Sequence, residues 1–287
     1  MTARAVGMAP DGRTPLKTIL ELAKDKGVAT GLVTTSGITD ATPAAFAAHV
    51  PHRSDEASVA AQELQLGVDV LMGGRKLFFL PEAQGGKRKD GRMIEGGRID
   101  HAAHRNDAAA TIRDTLAFDE AVGVALDFQR RNPDTLLIVT ADHETGGMAL
   151  IGHSKDSKEY VGIDLSAIQK AQTSMELIVD ELGKTPTPEK VREAVKRHLA
   201  IQITEDEAKL VADDTIRKLD PKNYSYATLH SLAFVLRPYL RVGWASQTHT
   251  ASPLFAFGSG PGSEELVGFR HNTELFRIMK AALGASR

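Results

Sequence analysis

The sequence predicts an α/β sandwich that is interrupted by an all-helical insertion. Helix-like and strand-like segments alternate over the first half of the chain, which is typical of α/β proteins. Residues 135–140 form a continuous apolar run, as expected for a strand buried on both faces of a parallel sheet. Four consecutive amphipathic segments follow residue 153. We therefore predict an α/β domain of residues 1–153 and 241–287 and a helical insertion of residues 154–240.

Composition restricts the classes of protein to which the chain can belong. Its 287 residues, 42% of them hydrophobic, are enough to bury a sizeable core. A net charge of -2 provides no basic field for nucleic acid or an anionic membrane. No apolar run is long enough for a membrane segment, and Met1–Arg13 lacks the apolar stretch of a secretory signal. Because there is no cysteine, any transition metal must bind to His, Asp, Glu or hydroxyl oxygen.

The first half of the chain contains one clear αβ unit. Pro15 opens a predicted helix that extends to Ala23, and Gly27 separates it from a strand over residues 31–35. Residues 43–66 have a helical pattern and precede a second strand over residues 68–72. The apolar run of residues 77–80 then leads into a polar stretch, residues 81–92, which we interpret as an exposed loop.

The second half is predominantly helical. Apolar residues recur at helical spacing from Ile99 to about Arg131, which predicts one long helix. Beyond the strand at 135–140, helices are predicted near 164–182, 188–200, 205–219 and 226–240. Thr187 and Thr204 are typical helix N-caps. The α/β pattern resumes with a strand at 254–258 and ends with a helix over 272–283.

Asp100 and His104 are the first candidate metal ligands. Their i, i+4 spacing places a carboxylate and an imidazole on one helix face, and both groups suit zinc. Glu95 precedes this helix and can reach an oxygen-preferring site beside it. On spacing alone, two polar residues on a solvated helix surface fit the pattern equally well.

Asp142 and His143 form a second acidic and imidazole pair. They follow the apolar run 135–140, at the strand edge where α/β proteins build ligand sites. A solvated pair in a loop is the alternative, although Gly146 and Gly147 indicate close approach of the backbone. His249 precedes the strand at 254–258, and by itself it indicates nothing.

Together these segments resemble the alkaline phosphatase family. The matching motifs are Asp40-Ala-Thr-Pro-Ala-Ala45, residues 48–50 with Arg53, residues 95–104, residues 140–147 and His249-Thr250, and they occur in family order. The similarity covers roughly residues 10–153 and 244–284. It implies an alkaline-phosphatase-like α/β/α sandwich with a mostly parallel central sheet, and hydrolysis of phosphate monoesters with two zinc ions and one magnesium ion.

The resemblance implies a role for each matched residue. It makes Asp100, His104 and His249 ligands of the first zinc, Asp142 and His143 ligands of the second, and Thr42 and Glu95 ligands of magnesium. Arg53 resembles the arginine that binds two phosphate oxygens, a geometry that suits a guanidinium group. Asp40 and His101 resemble residues that tune the magnesium site and the phosphate pocket.

The N-terminus departs from the family pattern. The family carries a metal-bridging aspartate and an Asp-Ser-Ala nucleophile motif in a segment that this sequence does not match, so we expect a truncated chain whose own activity is in doubt. Neither Ser36 nor Ser54 has the neighbours expected of the nucleophile. The alternatives are a non-catalytic remnant that binds metal or phosphate, and a related phosphodiesterase or sulfatase. The resemblance also suggests a periplasmic or secreted location and a homodimer as a candidate assembly.

Overall fold

The computed structural model describes residues 5–74, 99–152, 162–216 and 227–284. Its helices are α1 (Ile19–Asp25), α2 (Ala41–Ala44), α3 (Glu56–Gln65), α4 (Ile99–His104), α5 (Ala108–Arg131), α6 (Ser166–Lys170), α7 (Met175–Leu182), α8 (Pro188–Leu199), α9 (Glu205–Ile216), α10 (Ala227–Leu240) and α11 (Glu274–Ala282). Its strands are β1 (Gly31–Gly37), β2 (Val70–Gly74), β3 (Leu137–Val139), β4 (Glu144–Thr145), β5 (Met148–Leu150), β6 (Val242–Trp244), β7 (His249–Thr250) and β8 (Phe257–Ser259). The predicted loop at 81–92 and the apolar run at 77–80 lie outside the described residues.

The described residues divide into two compact units. The first lies within Met1–Arg98, Phe118–Asp142 and Phe255–Arg287, and the second within Ile99–Ala117 and His143–Leu254. The second unit thus combines the predicted helical insertion with residues on either side of it. The domain division at residues 153 and 241 stays a prediction.

The first unit contains two strand pairs. β1 and β2 pair in parallel, with Gly31 opposite Val70, while β3 and β8 pair antiparallel, with Ile138 opposite Gly258. Ile19, Leu20, Leu32, Ile38, Ala47 and Ala60 form one of its hydrophobic clusters. The residues of β3 are only half-buried, so the expectation of a strand buried on both faces of a parallel sheet is wrong for the described pairing. An apolar run indicates burial, but it does not specify the direction of the partner strand.

The second unit has a helical core with short antiparallel pairs beside it. Its largest fully buried side chains are Met175, Ile178, Leu182, Val191, Leu232 and Leu236. β4 pairs with β7 and β5 pairs with β6. Thr187 accepts a hydrogen bond from the backbone N–H of Lys190, which confirms the predicted cap of α8. Of the described strand pairs, one is parallel and three are antiparallel.

Three predicted helical segments are interrupted in the structure, and one of them, 164–182, contains the separate helices α6 and α7. The segment 43–66 contains the end of α2 and all of α3. A turn separates the two helices, because Val50 precedes Pro51 and pairs in extended form with Val6. The segment 99–131 contains α4 and α5, separated where Asn106 adopts a positive φ of 56°. Helical periodicity continues across these interruptions, so it cannot reveal them.

Asp107 fixes the start of two helices in the second unit. Its side chain is buried, and its carboxylate accepts hydrogen bonds from the backbone N–H of Ala110 in α5, at 3.1 Å, and of Met175 in α7, at 2.7 Å. We expect Asp107→Ala to lower the free energy of unfolding by roughly 2–4 kcal/mol, because it removes a cap and leaves a buried N–H unpaired. Urea unfolding at neutral pH measures this loss.

Asp127→Ala is the matched control for Asp107→Ala. Asp127 lies on α5 and forms an exposed ion pair with Arg130 at 2.9 Å. Exposed pairs contribute little, so we expect a change below about 0.5 kcal/mol. An equal decrease in the free energy of unfolding in the two variants would show that Asp107 does not stabilise the starts of α5 and α7.

Candidate metal centre

Three predicted zinc ligands meet in the second unit. Asp100 and His104 lie one turn apart on α4, with Asp100 Oδ1 3.4 Å from His104 Nε2. His249, on β7, places its Nε2 3.2 Å from His104 Nε2 and 3.8 Å from Asp100 Oδ1. All three ligand atoms lie within 4.8 Å of one another.

The donor set fits zinc. Ligand bonds of about 2.0–2.2 Å in a tetrahedron place neighbouring ligand atoms about 3.3–3.6 Å apart, close to the three separations found here. One carboxylate and two imidazoles are ordinary zinc ligands, and three protein ligands leave a fourth position for a substrate or water. The side chains of Asp100 and His249 are 43% and 49% exposed, so a solute can reach this position.

A hydrogen bond orients the ring of His104. Its Nδ1 lies 2.7 Å from the backbone carbonyl oxygen of Gln247, and a carbonyl oxygen only accepts, so Nδ1–H donates. Neutral His104 therefore has its lone pair on Nε2, the atom that faces Asp100 and His249. Metal-bound histidines are commonly oriented in this way.

The pairing of β4 with β7 positions His249. Thr145 lies opposite His249, and Glu144 lies opposite Thr250. The hydroxyl of Thr250 donates to the carboxylate of Glu144, which also accepts the backbone N–H of Gly147 at 2.9 Å. These contacts stabilise the pairing of β4 with β7 next to His249.

Gly146 allows the backbone to pass close to its neighbours. It has a φ of +86°, and an added Cβ would lie 2.7 Å from the indole of Trp244 and 3.1 Å from the carbonyl oxygen of Ala103. The close approach predicted from Gly146 and Gly147 is thus confirmed.

Thr145 and His143 extend this cluster. The Thr145 hydroxyl donates to Asp100 Oδ1 at 2.6 Å, and His143 Nδ1 lies 3.1 Å from the same hydroxyl oxygen. The ring of His143 stacks on that of His249, with 3.4 Å between centroids and 16° between planes. Thr145 lies inside the matched segment 140–147, but no spacing or motif in the sequence predicts its role.

In the first unit, two other predicted ligands are in contact. The hydroxyl of Thr42 donates to Asp142 Oδ2 at 3.0 Å. Asp40 precedes α2, and its Oδ2 accepts the backbone N–H of Gly37 at 3.1 Å and the hydroxyl of Ser36. Asp40 therefore holds the turn between β1 and α2, next to Thr42.

For three other predicted site residues, the structure gives at most a position and a degree of exposure. Arg53 is an exposed residue of the turn before α3, and His101 is a half-buried residue of α4. Glu95 lies outside the described residues. Their roles in binding phosphate and magnesium stay predictions.

The family profile of alkaline phosphatases matches residues 2–94 and 92–285 of this sequence. The chain belongs to the alkaline phosphatase family. Membership makes it a metal-dependent hydrolase of phosphate monoesters, as the resemblance had implied. The match covers nearly the whole chain, including every residue that we predicted to lie in the site.

Known alkaline phosphatases resemble the chain over much of its length. Alkaline phosphatase 4 of Bacillus subtilis is 26% identical over an alignment that covers 96% of this chain and 72% of that protein. The repressible alkaline phosphatase of Saccharomyces cerevisiae is 32% identical, with 50% of this chain and 42% of that protein covered.

Solved alkaline phosphatases share the fold. The Thermus thermophilus enzyme superposes with a TM-score of 0.81 at 29% identity, covering 99% of this chain and 76% of that one. A variant of the enzyme from the Antarctic bacterium TAB5, solved with magnesium bound, gives a TM-score of 0.61 at 22% identity. The α/β class predicted for this family member is thus confirmed.

Proposed function

We propose that Asp100, His104 and His249 hold a zinc ion with which this alkaline phosphatase family member hydrolyses phosphate monoesters. The observation that carries the proposal is the separation of the three ligand atoms, 3.2–3.8 Å, which fits tetrahedral zinc. The exposed sides of Asp100 and His249 give a phosphate ester access to the fourth position.

Each group of the chain has a defined task in this proposal. Zinc, when bound, supplies a Lewis acid that polarises a phosphoryl oxygen and stabilises negative charge. The carbonyl of Gln247 keeps the Nε2 lone pair of His104 directed at the other two ligands. Arg53 is proposed to bind two phosphate oxygens, and Asp40 and His101 to tune the pocket.

The wider metal set is part of the same proposal. Asp142 and His143 are proposed as ligands of a second zinc, and Thr42 with Glu95 as ligands of magnesium. The contact between Thr42 and Asp142 supports neighbouring roles for these two residues. Carboxylate and hydroxyl oxygens suit magnesium, and magnesium is bound in the related TAB5 structure.

Location and assembly are also proposals. No helix among the described residues combines the length and apolar composition needed to cross a membrane. Similarity to alkaline phosphatases supports a periplasmic or secreted location and a homodimer. Size-exclusion chromatography with light scattering tests the dimer.

The proposed function is tested with p-nitrophenyl phosphate at alkaline pH. We expect turnover that requires zinc, is enhanced by magnesium, disappears on chelation and returns when zinc is added. The corresponding phosphodiester and sulfate ester should react far more slowly, and faster reaction of either would favour that related class.

A zinc titration of the metal-free protein accompanies the assay. Turnover no higher than that of the metal ions alone contradicts the proposed activity. Tight binding of zinc and inorganic phosphate without turnover would instead favour the non-catalytic remnant.

A further inference from the structure

We propose that Thr145 is a positioning residue whose single hydroxyl orients Asp100 of the first zinc site and His143 of the second at the same time. The inference rests on the proposed zinc function, and it deepens that function by connecting the two sets of ligands. It concerns only residues of the second unit, in which Asp100, His143 and Thr145 all lie.

The geometry places the Thr145 hydroxyl between two ligand side chains. Its oxygen is 2.6 Å from Asp100 Oδ1 and 3.1 Å from His143 Nδ1. Thr145 itself is buried, at 8% exposure, and lies on β4 opposite His249. The strand pair therefore fixes the position of the hydroxyl, and solvent has little access to compete for its hydrogen bonds.

Proton counting fixes the direction of both hydrogen bonds. An ionised carboxylate can only accept, so the one hydroxyl proton of Thr145 goes to Asp100. The hydroxyl oxygen then has only lone pairs left for the imidazole, so His143 Nδ1 must carry a proton and donate it. In neutral His143 this leaves the lone pair on Nε2.

One hydroxyl group therefore orients two proposed metal ligands. The proton that Thr145 gives to Asp100 fixes the orientation of that carboxylate, and the bond that it accepts fixes the tautomer of His143. Hydrogen-bonding partners of metal ligands typically change metal affinity by about 10- to 100-fold when they are removed. A threonine that merely packed in the strand would have no effect of this kind.

Thr145→Val tests the role with little change in shape, Thr145→Ser restores the hydroxyl, and Thr111→Val is the matched control. Thr111 is as buried as Thr145, but its hydroxyl donates to the backbone carbonyl oxygen of Asp107 at 2.8 Å. Two quantities are measured on metal-free protein. One is zinc affinity, by competition with a chromophoric chelator, and the other is the His143 tautomer, by nitrogen-15 NMR assigned with His143→Gln.

We expect Thr145→Val to weaken zinc binding by about 10- to 100-fold and to abolish the preference of His143 for the tautomer protonated at Nδ1. Thr145→Ser should stay within about threefold of the original zinc affinity, as should Thr111→Val, and both should keep the tautomer. If Thr145→Val leaves either quantity unchanged while the unsubstituted protein binds zinc, the bridging role is wrong and the proposed function stands. If the unsubstituted protein binds no zinc, both proposals fail.

Discussion

Replacing His104 with alanine is expected to weaken zinc binding by about 10²- to 10³-fold, because a binding free energy of roughly 10–16 kcal/mol for a four-ligand zinc site amounts to about 2.5–4 kcal/mol per ligand. His104 Nε2 is the donor that lies close to both other ligand atoms, at 3.4 Å from Asp100 Oδ1 and 3.2 Å from His249 Nε2. Its loss leaves two donors, too few to define a tetrahedral site. Chelator competition measures the affinity, and phosphatase activity at limiting zinc should fall with it.

His198→Ala is the matched control for His104→Ala. His198 lies on α8 in the same unit, and its Nε2 contacts Glu181 Oε2 at 2.7 Å, so it is a histidine with a carboxylate partner but is not one of the three ligands. We expect its zinc affinity to match that of the unsubstituted protein. The assignment of the first zinc site fails if both alanine variants lose the same affinity, or if His104→Ala loses none.

Replacing Glu63 with glutamine is expected to remove a large pH dependence of stability. Glu63 lies on α3, is fully buried, and neither carboxylate oxygen has a hydrogen-bond partner among the described residues. Burial raises the pKa of Glu63 from 4.5 to about 8. The folded protein therefore keeps this carboxyl group protonated at neutral pH, whereas the unfolded chain ionises it.

The direction of the pH effect follows from this difference. The stabilising contribution of protonated Glu63 is complete below pH 4.5, declines as pH rises, and is lost once pH passes about 8. Between these values the group makes the free energy of unfolding fall by about 1.4 kcal/mol per pH unit. Over the whole interval the contribution amounts to roughly 5 kcal/mol as an upper estimate.

Urea unfolding at several pH values between about 4 and 9 measures the Glu63 effect, because this range includes both the unfolded pKa of 4.5 and the folded pKa of about 8. Because Glu63→Gln cannot ionise, its stability should depend less on pH and should exceed that of the unsubstituted protein most at the alkaline end. Glu120→Gln, at an exposed position of α5, should retain the original slope. Identical slopes for all three proteins would mean that Glu63 is not protonated in the folded state.

Local features of the site could be predicted because they depend on residues close in sequence. The spacing of Asp100 and His104 fixes their common helix face whatever surrounds the helix. The caps at Thr187 and Thr204 are likewise local, and each accepts the expected backbone N–H three residues later. The apolar run at 135–140 gave a strand, but its antiparallel partner β8 begins more than 115 residues later and could not be chosen by pattern alone.

The sequence by itself determined which residue types are present to bind a metal, the common helix face of Asp100 and His104, and, through motif order, membership of the alkaline phosphatase family. Motif order also predicted His249 as their partner, but only the tertiary structure decided that His249 Nε2 lies 3.2 Å from His104 Nε2 and that Thr145 lies between Asp100 and His143. It also decided that the helix predicted over 99–131 is interrupted at Asn106, and that buried Glu63 has no hydrogen-bond partner among the described residues. The physical reason is range: periodicity and capping act over a few residues, whereas ligand convergence and burial depend on which distant segments pack together.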